Sequence, residues 1–367
     1  MKSFISSKPT LSKTHLHRSL PDSSFPKGFL LTGLHCGIKK TSAPDLALLL
    51  STSHRPTSAA GCFTRNAFKA APVLVSQDVL RSNKGRARAV VVNSGSANAV
   101  TGKKGLEDAW AMAKETNTLL RSISSYSSGA ENETLVMSTG VIGQFLPISK
   151  IISGIRSQQP QRDQLPHQDQ TKSEGLPLQN TLGSGFDAWE RAAKAFMTTD
   201  TFPKVRSRVF RINGTEYRMA GIDKGAGMIH PNLGPLSHSG SQLHATLLGC
   251  IVTDAAVSPR SLQSALTYAV ERSFNSISVD GEMSTNDTVL ALANGAATAN
   301  EVEEIDNERD THAYEVFRNE LTEFAVDLAK LVVEDGEGAT KFVTVSVEVS
   351  YSMFRCTPVF DLKYLLL

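Results

Sequence analysis

A layered α/β fold is what the sequence predicts, because short apolar runs bounded by small-residue turns alternate with stretches of helical periodicity. Residues 87–93 (ARAVVVN) read as a strand with a continuous apolar core, the pattern of a sheet covered on both faces. Residues 134–142 (TLVMSTGVI) read as a second buried strand interrupted by Ser138-Thr139-Gly140, and 246–252 (TLLGCIV) as a third. Amphipathic helices follow. One starts at Ser258-Pro259, a hydroxyl cap followed by proline in the first turn, and keeps Leu262, Ala265, Leu266, Ala269, Val270 and Phe274 on one face. Another runs from about Glu315 to Val333 through Phe317, Leu321, Phe324, Leu328 and Leu331.

From residue 28 to about 151, β-rich runs alternate with turns. The strand at 87–93 ends in Asn93-Ser-Gly-Ser-Ala-Asn98, where small residues let the backbone turn tightly or approach a ligand. A short helix is expected over 105–116. Residues 157–175, rich in Gln, Pro and charge, offer almost no apolar surface to bury and are expected to be a surface insertion or linker. A helix over 187–197 leads into Thr198-Thr-Asp-Thr201, and a hairpin over 208–219 turns at Asn213-Gly214. The stretch 224–231 (KGAGMIHP) is a glycine-rich loop, continued by a polar excursion over 234–242.

Charge and cysteines narrow the function classes. With 38 Lys and Arg against 36 Asp and Glu, the formal charge is +2, so no field of one sign points to nucleic acid or a membrane surface, and a small-molecule partner is expected. Cys36, Cys62, Cys250 and Cys356 form no CxxC pair and no zinc spacing, and read as reduced, structural thiols of an intracellular protein. The longest apolar runs fall well short of the roughly 20 residues a membrane helix needs. The N-terminus differs from the rest: Lys2, Lys8, Lys13, Arg18, His15 and His17 lie among serines, with no acidic residue before Asp22. That composition suits a mitochondrial presequence over 1–27, against a disordered basic arm, since Pro9 interrupts any amphipathic helix.

Taken one at a time, the candidate motifs are ambiguous. The loop at 224–231 lacks the spacing of a phosphate loop. Asp280, Glu282, Asn286 and Asp287 cluster, but without the glycine-spaced pattern of a calcium loop they read as a hydrogen-bonded turn, with no metal. A threonine such as Thr246 at the head of an apolar run is ordinarily only a β-former.

In series the motifs are specific. Gly37-Ile-Lys-Lys40, 69–75 (KAAPVLV), 92–98 (VNSGSAN), 138–143 (STGVIG), 197–204 (MTTDTFPK), 224–232 (KGAGMIHPN), 245–249 (ATLLG), 253–255 (TDA), 279–288 (VDGEMSTNDT) and 337–341 (EGATK) occur in this order. Together they resemble the ornithine acetyltransferase family, also called glutamate N-acetyltransferase (ArgJ), in its fungal mitochondrial form, over residues 28–349. The resemblance implies a layered sheet-and-helix sandwich (DmpA/ArgJ-like) made as one chain and cut between Ala245 and Thr246. The alpha chain would be 28–245 and the beta chain 246–349.

In the reaction so implied, Thr246 is the nucleophile and its freed α-amine the base, an amine whose ordinary pKa lies near 7.7 to 8.0. Thr139 and Gly140 match the oxyanion hole, and Thr198, Lys224, Thr246 and Glu337 the substrate contacts. Acetyl would pass from N2-acetylornithine to glutamate in a ping-pong cycle. No cofactor is implied, although some members also take acetyl-coenzyme A as co-substrate. The matrix of the mitochondrion is the implied location, and a heterotetramer of paired alpha and beta chains the implied assembly.

Two departures from the family pattern stand out. A polar insertion of twelve residues separates Asn232 from Ala245, and the tail at 350–367 looks unrelated where members continue, as in a C-terminally truncated copy. The readings left open are an N-terminal-threonine amidohydrolase or aminopeptidase of similar fold, and an inactive truncated homologue.

Overall fold

The computed structural model describes residues 13–126, 128–160, 180–235, 247–299, 302–345 and 363–364. In chain order the main elements are β1 (Phe29–Leu34), β2 (Leu46–Ser51), β3 (Ser58–Thr64), α1 (Ala71–Ser82), β4 (Ala89–Ser96), α2 (Gly102–Ile123), β5 (Thr134–Val141), α3 (Ile148–Arg156), α4 (Phe186–Phe196), β6 (Lys204–Ile212), β7 (Thr215–Lys224), β8 (Leu233–Gly234), β9 (Leu248–Thr253), α5 (Pro259–Glu271), β10 (Thr288–Ala293) and α6 (Thr311–Glu334). A two-residue pairing of β11 (Thr344–Val345) with β12 (Lys363–Tyr364) lies apart from these.

Two sheets form the centre. One has the order β1-β2-β4-β5, with β4 and β5 parallel; the other has the order β6-β7-β9-β10-β3-β8, with β9 and β10 parallel. The central strands β2, β9 and β10 are buried at every position, as their unbroken apolar runs require. One apolar cluster unites the first sheet, the residues of α1 and α2 packed on it, and the inward side chains Ile222, Cys250 and Leu290 of the second sheet. A second cluster fills the space between the other face of the second sheet and helices α5 and α6. Helix α4 packs on β1, β2 and β4 and also on β7, and so bridges the two sheets. Its Ala188, Ala192, Ala193 and Ala195 are all buried, and small side chains are what lets a helix sit that close.

Most expected elements are present, with shifted ends. The hairpin turns where it should: Asn213 and Gly214 have φ of +49° and +81°, the left-handed pair of a tight two-residue loop. Helix α5 starts with the Ser258 hydroxyl accepting the Ser261 N–H and Pro259 in the first turn. Helix α2 outruns the expected 105–116 at both ends. Leu119 and Leu120 are buried, which extends the apolar face, and the Thr116 and Thr118 hydroxyls are satisfied by the carbonyls of Met112 and Lys114, so a polar-looking sequence still runs on as helix. The strand expected from 246 begins at Leu248, and Thr246 itself lies outside the described residues. So do 161–175 of the expected linker, 236–242 of the polar excursion, and the 350–367 tail apart from 363–364.

Within the expected presequence, residues 13–27 pack on the body. The Phe25 ring stacks on Trp189 at 5.0 Å, Asp22 Oδ1 accepts the Phe186 N–H at the start of α4, and the Lys27 N–H donates to Asp254 Oδ2.

Candidate active site

The ends of β4 and β5 and several loops meet around one cavity of about 1100 Å³. Its walls include Gly140 at the end of β5, Thr198 after α4, Gly227 after β7, Glu337 after α6, and Lys39 from the loop between β1 and β2.

The first wall is built by β4 and β5. Their register is regular through Ser94↔Thr139 and Gly95↔Gly140 and then slips, Ser96 pairing with both Thr139 and Val141. Gly140 has φ of +123°, and a Cβ there would lie 2.5 Å from the Gly95 carbonyl carbon. The two strand ends can approach this closely only because residue 140 is glycine, while a side chain at Gly95 would meet Ile38 and Lys39 instead.

Lys224 ends β7 behind this wall. It is 1% exposed, and its Nζ donates to Thr198 Oγ1 at 2.8 Å and Thr139 Oγ1 at 3.2 Å. An ammonium only donates, so both hydroxyls accept from it and each keeps its own hydrogen for a third atom. Burial pushes the Lys224 pKa below the usual lysine value, opposed chiefly by Asp200. The cavity therefore meets the threonine hydroxyl of Thr198 and the backbone of Gly140, with the lysine charge one layer beneath.

A buried charge cluster fixes that layer. Asp200 accepts the Thr198 N–H (2.9 Å) on one oxygen, and the Gly225 N–H (2.8 Å) and Lys204 Nζ (2.6 Å) on the other. Lys204 Nζ also donates to Asp335 at 2.6 Å. Burial alone would raise the Asp200 pKa, but Lys204 and Lys224 outweigh it and hold the carboxyl well below the usual range. The 198–201 turn and the start of the glycine loop are thus pinned by one carboxylate.

Opposite, the Glu337 N–H donates to Ala226 O at 2.6 Å, and its carboxyl lies over Gly227, where a Cβ would come within 2.7 Å of Cδ. The turn expected at 280–287 works through backbone groups. Asp280 accepts the Ile229 N–H at 2.8 Å, and Asn286 Nδ2 donates to Ala97 O and Ser138 O, both at 2.7 Å. Asp287 accepts the N–H of Leu247 at 2.8 Å and that of Ser284 at 3.0 Å. Leu247 is fully buried and starts the run into β9, whose Leu248 pairs with Lys224.

Of the residues singled out in sequence, Thr139, Gly140, Thr198, Lys224 and Glu337 are brought to this one cavity or directly beneath it. Ala245 and Thr246 lie outside the described residues. Sequence reasoning gave no role to Asp200, Asp45 or Lys39, although Asp200 and Lys39 sit inside motifs it had singled out. Chemically, a hydroxyl with a free hydrogen beside a left-handed glycine at a strand end can stabilise a negative oxygen, the requirement of acyl transfer.

The chain belongs to the ArgJ family, whose profile matches residues 30–359, ten residues past the end of the resemblance expected at residue 349. It is 65% identical over 347 residues to the arginine biosynthesis bifunctional protein ArgJ, mitochondrial, of Postia placenta, covering 95% of this chain and 71% of that protein. The protein of the same name from Coprinopsis cinerea is 66% identical over 346 residues, covering 94% of this chain and 69% of that protein. Among solved structures, the ornithine acetyltransferase of Mycobacterium tuberculosis complexed with ornithine is 34% identical, covers 57% of this chain and 94% of that chain, and superposes with a TM-score of 0.42.

Proposed function

We propose that this chain is a self-processing acetyltransferase of arginine synthesis that moves acetyl from N2-acetylornithine to glutamate through an ester on Thr246. The observation that carries the reading is Lys224 Nζ, which bonds to the hydroxyls of Thr139 and Thr198 beside the left-handed Gly140. Family membership and the names of the relatives support it.

In maturation, the Thr246 hydroxyl attacks the Ala245 carbonyl carbon and the acyl group shifts from nitrogen to oxygen. Water then cleaves the ester, leaving the Ala245 carboxylate and a free Thr246 amine. The alpha chain is 28–245 and the beta chain begins at 246. In transfer, that amine takes the hydroxyl proton as Oγ attacks the acetyl carbonyl. The oxyanion is met by the Thr139 O–H and the Gly140 N–H. The proton passes to the departing amine of ornithine, and glutamate then reverses the sequence on the acetyl ester. Lys224 sets the donor sense of Thr139 and, through Thr198, attracts the substrate carboxylate, while Glu337 takes the cationic end of ornithine. Acetyl-coenzyme A is a second donor to the same ester.

The basic, acid-free first residues and the mitochondrial relatives support import into the matrix. The expected leader is 1–27, of which residues from Lys13 on pack on the body. Paired heterodimers are the expected assembly.

The purified protein should run as two fragments on a denaturing gel, the second starting at Thr246, and Thr246→Ala should stay whole. Ornithine release from acetylornithine should need glutamate in stoichiometric amount. Steady release without glutamate would show a hydrolase instead.

A further inference from the structure

A ping-pong site must hold two amino acids in turn whose side chains carry opposite charge. The α-carboxylate is common to both, so one cation serves it throughout. The side-chain end is different: a wall of one sign would attract the first substrate and repel the second. The cavity carries both signs on separate walls. Glu337 lies over Gly227 on one side. On another, Lys39 lies over Gly95, with its Cγ 3.2 Å from where a Cβ would stand, and Gly95 in turn abuts Gly140.

The Lys39 wall is built rather than loose. Asp45, fully buried, accepts the N–H groups of Cys36 (2.7 Å), Gly37 (3.1 Å), Ile38 (2.7 Å) and Lys39 (3.0 Å). Its carboxylate is occupied by these amides, and Lys39 Nζ donates instead to Pro44 O at 2.6 Å. An ammonium has three N–H bonds, and among the described residues only this one is used, so two can serve a ligand.

We propose that Lys39 is the specificity residue for the acidic substrate, its ammonium receiving the side-chain carboxylate of glutamate where Glu337 receives the side-chain ammonium of ornithine. This rests on the acetyltransferase reading above. Each half-reaction can be read alone on the full, processed protein, by exchange of labelled ornithine into acetylornithine and of labelled glutamate into acetylglutamate. In Lys39→Met the KM for glutamate should rise about tenfold to hundredfold, while the KM for ornithine falls because a like charge has gone. Lys39→Arg should restore most of the glutamate affinity. A loop residue with a merely structural part would move both constants the same way, and that result, or an unchanged glutamate KM, overturns the proposal. Wild-type protein that exchanges neither pair overturns the acetyltransferase reading and this inference with it. Normal wild-type exchange without the opposed shifts in Lys39→Met overturns the inference alone.

Discussion

Asp287 Oδ1 accepts the Leu247 N–H at 2.8 Å, while the next residue, Thr288, donates its own N–H to Leu247 O at 3.1 Å. The head of β10 thus grips both backbone groups of the residue that follows the expected nucleophile. Self-cleavage depends on holding a hydroxyl in line with the preceding carbonyl, and small misplacements are costly. Asp287→Ala leaves the amides of Leu247 and Ser284 unpaired, which should cost about 1–3 kcal/mol of stability. Maturation should slow by about tenfold or more. A time course on denaturing gels beside urea unfolding checks both, and prompt splitting at full stability would refute the link.

Gly140 has no room for a side chain. Alanine would put Cβ 2.5 Å from the Gly95 backbone at a φ of +123°. The strand end must then move, and the amide meant for the oxyanion moves with it. Gly140→Ala should lose about 1–3 kcal/mol and about 100-fold or more in kcat. Equal kcat in the variant would remove Gly140 from the oxyanion site.

How far the sequence reaches can be judged element by element. Strands β4 and β5, the Asn213-Gly214 turn and the Ser258 cap follow from local rules, since period, φ preference and capping act within a few residues. Thr139, Gly140, Thr198, Lys224 and Glu337 were legible only through the series of family motifs, because no local rule brings residue 139 to residue 224. The layer behind them was not legible. Asp200 lies only four residues from Lys204, but Asp335, which shares that lysine, reaches it only through the tertiary fold. Asp45 shapes the Lys39 loop by collecting amides six to nine residues away, a geometry no apolar pattern encodes. Helix α4 carries an ordinary amphipathic pattern, yet its alanines bridge two sheets.

Removing the ammonium of Lys224 frees the Thr139 hydroxyl to turn its hydrogen inward and takes the charge from behind Thr198. Lys224→Met keeps the bulk of the stem. The expected result is a fall in kcat/KM of about 100-fold or more, with acetylornithine and glutamate both affected because the α-carboxylate and the oxyanion are common to them. An effect confined to one substrate would reassign Lys224 to a side-chain contact.

Asp223, beside it on β7, faces the other way and gives a prediction about stability. Among the described residues neither of its carboxyl oxygens has a hydrogen-bond partner, and it is fully buried opposite Lys204. Burial pushes its pKa well above the ordinary value, with Lys204 opposing and Asp200 reinforcing the shift. In the unfolded chain the same carboxyl ionises near its ordinary value of about 3.9. Between those two values the native protein holds a proton that the unfolded chain has released, so stability falls as pH rises through the window. The contribution is complete below about pH 3.9 and lost once pH passes the native value. Asparagine cannot ionise and nearly keeps the shape. Asp223→Asn should therefore gain on the parent as pH rises, by up to about 1.4 kcal/mol per pH unit inside the window. Urea unfolding of both proteins between about pH 5 and 8 reads the difference, in which all shared groups cancel. Parallel curves across that range would mean that Asp223 is ionised in the native state and finds its compensation in Lys204.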